Sequence, residues 1–253
     1  MIVHKEIIQG TPEWLKLRVG KVTMSNLHKI ITPAKGEPSA QQDGYMNEML
    51  AELFYGEPIE TFTSAAMQDG INFEEEAARI YSVENDCELE KIGFVTNDAG
   101  TIGCSPDRFI VGTKKAVEIK VPLPKTHVGY LRTKSVDKDY LCQLQGQLWV
   151  AELDKIDIYS YNPKMPRVQI EVGRDESFIA KAKVIVGDFL ERFEQEKKRL
   201  NIKDLSSAMS YAGGGDTFSM LATVDRLIEM GYLREINFEE CHGQDRIFVK
   251  GSK

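Results

Sequence analysis

Asp107, Glu118 and Lys120 are the residues of this sequence whose types and spacing best suit chemistry. They lie in two short runs, Ser105-Pro106-Asp107 and Glu118-Ile119-Lys120. Glu118 and Lys120 are two apart, so on a strand both point to one face, and Ile119 points the other way into a core. A hairpin brings Asp107 beside Glu118, with the lysine head close to both. Two carboxylates with an amine nearby make a hard oxygen site for Mg²⁺ and a cation able to orient a water. That set suits hydrolysis of a phosphodiester. The rival reading is a solvated hairpin with charged outer residues. Context weighs against it. Pro106 fixes the chain direction just before Asp107, and Glu118 sits between Val117, Ile119 and Val121. A buried strand with two charges on one face needs a functional reason.

Further residues fall around this set. Glu74 precedes Ala77, Ala78 and Tyr81 on a helical stripe and can supply a third carboxylate, whereas Glu75 and Glu76 read as a solvated helix face. Tyr140 and Gln143 share a helix face, with Gln147 one turn on and Gln145 set off from the row. A glutamine amide there can position a water beside a metal, and an amphipathic helix with a polar edge is the alternative. Arg18, Ser25 and Ser105 can hold a terminal phosphate. Taken alone, Ser25 reads better as a helix cap and Arg18 as a surface arginine. The cysteines (Cys87, Cys104, Cys142, Cys241) and the histidines (His4, His28, His127, His242) show no metal-ligand spacing. There is no phosphate-cradling GxxxxGK[ST] segment, which speaks against an ATP-driven motor.

The elements that must position these side chains follow from the pattern. Thr11 as N-cap and Pro12 open a helix with Leu15 and Leu17 on its apolar face. A second helix is expected at about Ser25–Ile31, capped by Ser25, then a loop from Ala34 to Gly44. Helices are expected at about 44–55, 64–85, 124–133, 139–153 and 175–200. Strands are expected near 87–96, 100–104, 107–111, 115–121, 156–161 and 167–172, with Gly112-Thr113-Lys114 at the hairpin turn. Residues 1–205 form one domain. Residues 206–216, with Gly213-Gly214-Gly215, read as a flexible linker. Residues 217–253 read as a small extension: a helix at about 217–230, a stop at Gly231, and strand-like runs Tyr232–Phe238 and Arg246–Lys250. That extension is either a winged-helix-like module binding DNA or a protein partner, or a packing cap. Helices, a mixed sheet, then helices indicate an α/β or α+β architecture.

The chain has 253 residues and a net charge of −7, which excludes a protein that coats nucleic acid non-specifically. An acid-rich site with cations gathered in a channel remains compatible with that total. No apolar run reaches the roughly 18 residues of a membrane helix, and Met1–Glu6 lacks the pattern of a signal peptide. A cytoplasmic protein with reduced thiols is expected.

Five segments, in order, resemble one family. They are Glu13–Gly20 with Thr23 and Ser25, Gly70–Ala77, Cys104–Asp107, Val117–Pro122, and Tyr140–Gln145. The chain resembles the YqaJ-like viral recombinase nucleases over about residues 5–200. The resemblance implies a PD-(D/E)XK restriction-endonuclease-like core, a mixed central sheet flanked by helices. It implies that Asp107, Glu118 and the backbone carbonyl of Ile119 ligate one Mg²⁺, and that Asp107 with Glu74 nearby reaches a second, with Mn²⁺ able to substitute. It further implies that Lys120 activates or orients the attacking water with support from Gln143. Arg18, Ser25 and Ser105 would hold the 5′-phosphate of a DNA end. The implied activity is 5′→3′ digestion of one strand of duplex DNA, in a homotrimer, leaving a 3′ tail for a single-strand annealing protein. Such a protein belongs to a phage or prophage and works in the bacterial cytoplasm. An endonuclease on the same core and a non-catalytic DNA-end-binding adaptor are the alternatives. Arg108 stands where this family commonly has glycine, which predicts a tighter turn after Asp107 or an added phosphate contact.

Overall fold

The computed structural model describes residues 1–59, 65–202, 233–236 and 247–250. The chain divides into two compact units, Met1–Ile202 and Lys203–Lys253.

In the first unit, a five-stranded sheet has the order β3-β6-β7-β8-β9. Its strands are β3 (Leu89–Lys91), β6 (Arg108–Ile110), β7 (Lys115–Lys120), β8 (Lys155–Ser160) and β9 (Val168–Gly173). Only β7 and β8 are parallel, with Glu118 opposite Ile158 and Lys120 opposite Ser160. The β7–β8 connection holds two helices, α4 (Pro124–Thr133) and α5 (Lys138–Val150). Parallel neighbours need such a crossover, and it lays α5 against one face of the sheet. On that face Leu144 and Leu148 of α5 join Ile156 and Ile158 of β8 in the main core. On the other face lies α3 (Ala65–Glu84), whose Ala77, Ala78 and Tyr81 pack with Val117 and Ile119. Strand alternation therefore aims Glu118 and Lys120 at α5, and Val117 and Ile119 at α3.

A second, four-stranded sheet has the order β1-β4-β5-β2, from β1 (Ile2–His4), β2 (Val22–Thr23), β4 (Phe94–Thr96) and β5 (Ile102–Cys104). The sequence pattern predicts a single mixed sheet, and the described residues of this unit form two. The chain crosses between them at Ile92-Gly93, between β3 and β4, and again at Ser105-Pro106-Asp107, between β5 and β6. The first crossing is tight. A Cβ on Gly93 would lie 1.9 Å from the Ile7 carbonyl oxygen, so only glycine fits.

The helices match expectation with three exceptions. The expected helix with Ser25 as cap is a 3-10 helix, Met24–Lys29, that begins after Thr23, so Ser25 lies inside it. Helix α1 (Pro12–Arg18) is capped by Thr11, whose side chain accepts the Trp14 N–H, yet none of its residues is fully buried, Leu15 and Leu17 included. Gly44 lies within α2 (Gln42–Tyr55) rather than in the loop before it. Helix α6 (Glu176–Arg199), capped by Asp175, lays Ala182, Val186, Phe189 and Phe193 into the main core. In the second unit, β10 (Leu233–Ile236) pairs antiparallel with β11 (Ile247–Lys250). The expected linker at 206–216, the helix at 217–230 and the Gly231 stop lie outside the described residues.

Candidate active site

The β6–β7 ladder ends at the pair Arg108 and Val117. One residue further, the Asp107 carboxylate takes over from the backbone: its Oδ2 accepts the Ile119 N–H at 2.6 Å. In an extended strand the N–H and C=O of one residue point to the same side, so the Ile119 carbonyl opens towards this edge too. Glu118 is 3 % exposed. Burial, and then the charge of Glu118, hold the Asp107 carboxyl well above the usual carboxylate range, against the pull of Lys120. Burial draws the Lys120 ammonium down, but the charges of Glu118 and Asp107 outweigh it and raise the group above an ordinary lysine. Lys120 is thus a fixed cation, its Nζ 2.7 Å from Glu118 Oε1.

Helix α5 fixes the other side of Glu118. Gln143 donates to Oε1 at 3.2 Å and Gln147 donates to Oε2 at 3.1 Å. Lys120 Nζ lies 4.8 Å from the centre of the Tyr140 ring. The row Tyr140, Gln143, Gln147 therefore touches the acid or the lysine at each position. Gln147 had no role beyond its place in that row, although it is 1 % exposed and its Oε1 has no partner. Gln145 turns away to the Gly173 carbonyl and the Asp175 N–H at the start of α6.

Glu74 pairs with Arg108, and its charge still bears on Asp107. Arg108 is on the α3 face, and its Nη1 donates to Glu74 Oε1 at 2.9 Å while Nη2 donates to Glu75 Oε2 at 2.9 Å. The tight turn or phosphate contact expected at Arg108 is not what forms. β6 starts there, and the guanidinium is buried against these two acids and the Asp107 carbonyl. Glu75 is correspondingly not a purely solvated residue.

Arg18 and Ser105 are brought to one place by Trp14, and Ser25 follows the neighbouring strand β2. β2 and β5 are parallel neighbours, so the residues after them, Met24-Ser25 and Ser105, leave on the same side. Trp14 joins two of the three. Its ring stacks under the Arg18 guanidinium at 4.0 Å, and its Nε1 donates to Ser105 Oγ at 2.9 Å and to the Gly93 carbonyl at 3.1 Å. Ser105 in turn donates its proton to Gly93 O at 2.9 Å, so a phosphate would have to displace that bond to receive it. Ser25 Oγ contacts Thr23 Oγ1 at 3.3 Å. Arg18 makes no ion pair among the described residues, and loss of water lowers its pKa, with the charges of Tyr45 and Glu52 opposing. Lys21, one turn on, is half-buried in the same way and was not singled out from sequence. Gln9 was missed as well. Its amide donates to the Ile92 carbonyl at 2.7 Å and to the Pro106 carbonyl at 3.0 Å, pinning both sheet crossings together. Contacts of such sequence separation leave no local signature.

The donor set suits a hard divalent cation. Asp107 and Glu118 bring carboxylates together where water is scarce, and a cation would relieve the repulsion between them. A carboxylate offers about four lone-pair positions, and the three N–H donors on Glu118 leave one open. Among the described residues no three His, Cys, Asp or Glu side chains converge as a ready metal group.

Two structures of the alkaline exonuclease of Laribacter hongkongensis, one in complex with dAMP, are 28 % identical to the chain with a TM-score of 0.67. They cover 80 % of this chain and 100 % of that one. A phage-related exonuclease of Haemophilus somnus 129PT, 20 % identical over 71 % of this chain and 96 % of its own, has a TM-score of 0.59 and shares the fold. That fold is the PD-(D/E)XK type, a mixed sheet flanked by helices. No curated protein sequence matches. A model of the YqaJ-like viral recombinase domain matches residues 13–154, a span that contains α1 from Glu13 on, the Ser105–Asp107 crossing, β7 and α5. With that match over more than half of its length, the chain belongs to the YqaJ-like viral recombinase family.

Proposed function

We propose that the chain is a divalent-metal-dependent exonuclease that digests one strand of linear duplex DNA from its 5′ end. The observation that carries this reading is half-buried Asp107 beside buried Glu118, with Lys120 and Gln143 fixed against Glu118, in a chain of this family. Asp107, Glu118 and the Ile119 carbonyl are the groups that would hold Mg²⁺ or Mn²⁺. When bound, such an ion supplies Lewis-acid stabilisation of charge on the phosphate and makes a water more acidic.

The chain's own residues do the rest. Lys120, held with its Nζ 2.7 Å from Glu118, activates or orients the attacking water. Gln143 fixes Glu118 and stands where it can hold the same water. In hydrolysis the water oxygen bonds to phosphorus, the bond to the 3′ oxygen of the terminal nucleotide breaks, and that oxygen takes a proton. The product is a 5′-mononucleotide, and the shortened strand again begins with a 5′-phosphate. Arg18, which closes no ion pair among the described residues although the charge of Glu52 bears on it, suits that terminal phosphate, with Ser25 and Ser105 as further donors. These contacts read phosphates rather than base edges, so digestion is expected to be independent of sequence. A homotrimer and transfer of the 3′ tail to a single-strand annealing protein complete the reading.

The test uses end-labelled linear duplexes with and without a 5′-phosphate, incubated with Mg²⁺. Release of the 5′ label as mononucleotide, faster with the phosphate and absent with Glu118→Ala or Lys120→Ala, is expected. Cleavage of closed circular duplex would indicate an endonuclease instead. Sedimentation equilibrium reads the assembly state.

A further inference from the structure

Helix α4 follows the catalytic strand directly, and its two faces differ in character. The inner face is fastened to the strand ends. His127, fully buried, donates from Nε2 to the Pro166 carbonyl at 2.9 Å and meets Ser160 Oγ through Nδ1 at 2.8 Å. Ser160 is the residue opposite Lys120 in the β7–β8 register. Tyr130 is buried as well, and burial raises its hydroxyl pKa against the nearby charge of Lys120.

The outer face is basic. Lys125, Arg132 and the capping residue Lys134 are exposed, and none of them closes an ion pair among the described residues. No Asp or Glu occurs between Glu118 and Asp137, in a chain where acids outnumber Lys and Arg by 39 to 32. An ordinary solvated helix face mixes both signs. Lys138, set between Asp137 and Asp139, does not extend this face.

Two positions here go against what the helix itself prefers. Gly129 lies one turn from Lys125 and one turn from Arg132, on the same stripe. A Cβ on it would meet nothing within 4 Å and its backbone is not left-handed, so the fold gains nothing from a glycine where glycine weakens the helix. What glycine leaves is room for a close approach to the backbone. Lys134 is the reverse case. It caps the helix at φ 49°, a left-handed conformation that favours glycine, yet carries a long cationic side chain. Local rules broken with no gain to the fold point to a functional surface.

We propose that the outer face of α4 seats the phosphate backbone of the duplex leading into the site, with Lys125, Arg132 and Lys134 as phosphate contacts and Gly129 as the point of closest approach. It rests on the nuclease reading above for the identity of the partner. Lys125 and Arg132 are about 10 Å apart along the helix axis. Each strand of a duplex presents a phosphate about every 3.4 Å of its axis, so both cations can reach one strand. Single strands are held by aromatic rings set among cations, and the exposed residues of α4 include no aromatic.

Fluorescence anisotropy of the full chain with a short linear duplex tests this, in EDTA and over a series of KCl concentrations. EDTA stops digestion, and 5′-hydroxyl ends on the duplex remove the share of Arg18. The slope of log affinity against log salt should shrink by about 0.9 for each of Lys125→Ala, Arg132→Ala and Lys134→Gly. Gly129→Leu should weaken binding severalfold. Lys134→Gly and Gly129→Leu should also hold or raise Tm, which a merely structural role would not allow. Slope and affinity unchanged in the triple variant Lys125→Ala, Arg132→Ala, Lys134→Gly would overturn the proposal. So would losses seen only with a single-stranded oligonucleotide of the same length, a Tm that falls together with affinity in Gly129→Leu and Lys134→Gly, or no duplex binding by the unmodified chain. Unchanged slopes in a chain that digests linear duplex with Mg²⁺ would sink this proposal alone. Reduced slopes in a chain that digests no duplex would sink the nuclease reading alone.

Discussion

Glu118 takes three N–H donors on two oxygens, and the donors differ in depth. Gln147 is the buried one, and among the described residues it alone donates to Oε2. Gln147→Leu leaves a buried carboxylate oxygen short of a donor. We expect this to cost about 1–3 kcal/mol in urea unfolding and to weaken Mn²⁺ binding by about tenfold. Gln143 lies nearer solvent and shares Oε1 with Lys120. Gln143→Leu should therefore leave stability within about 1 kcal/mol and lower the rate of digestion instead. Equal stability losses in the two variants would contradict the assignment. The thiols give a second check at this scale. Burial pushes Cys142 up to about 12, and Cys104, also buried, is raised as well. At pH 8 both should resist a thiol reagent such as DTNB in the folded protein and react once it unfolds. The acid–lysine pattern and the glutamine row were readable from spacing because strand and helix periods alone place them on faces. Arg108 was not. Its partners lie on α3, more than thirty residues away, and nothing local tells a buried guanidinium from a solvated one.

Helix α5 carries the glutamines, so its distance from the sheet and from the 3-10 helix sets the site. Gly146 is where it comes closest to the latter: a Cβ there would lie 2.5 Å from Met24 Sδ and 2.9 Å from Leu27 Cδ2. Gly146→Val must push α5 away or repack Met24. Overpacking of this kind costs about 1–3 kcal/mol, and because Gln143 and Gln147 flank the contact, activity should fall too. Asp175→Ala is the control. It removes the cap that accepts the Phe178 N–H at 2.9 Å, should cost about 1 kcal/mol, and should leave the digestion rate unchanged. A rate that drops equally in both variants would mean that α5 position does not matter. The element boundaries followed from caps, prolines and periodicity, as Thr11, Pro124 and Asp175 show. The division into two sheets did not. Strand pattern reports that a segment is extended and which face is apolar, but not its partner. The two crossings depend on Gln9, Trp14 and Gly93, joined across more than seventy residues.

At the scale of the molecule, the family match and every proposed site residue lie within Met1–Ile202. The main core of that unit closes on Phe193 and Ile202, and among its described residues it has its own helices on both sheet faces. A chain ending at Ile202 is therefore expected to fold. Because the site is complete within it, Mg²⁺ should stabilise it by mass action. The gain is RT ln(1 + [Mg²⁺]/Kd), about 2.7 kcal/mol at a hundredfold excess over Kd, and Tm should rise with Mg²⁺ concentration. Asp107→Asn in the same shortened chain should abolish that rise. It should also stabilise the metal-free form relative to Asp107, since the repulsion with Glu118 is gone. Differential scanning calorimetry of both chains with and without Mg²⁺ reads these outcomes. Digestion of linear duplex by the shortened chain then separates the roles of the two units. An unchanged rate per active site places Lys203–Lys253 outside the chemistry. A folded, Mg²⁺-responsive chain that has lost digestion would show that the second unit contributes to holding DNA.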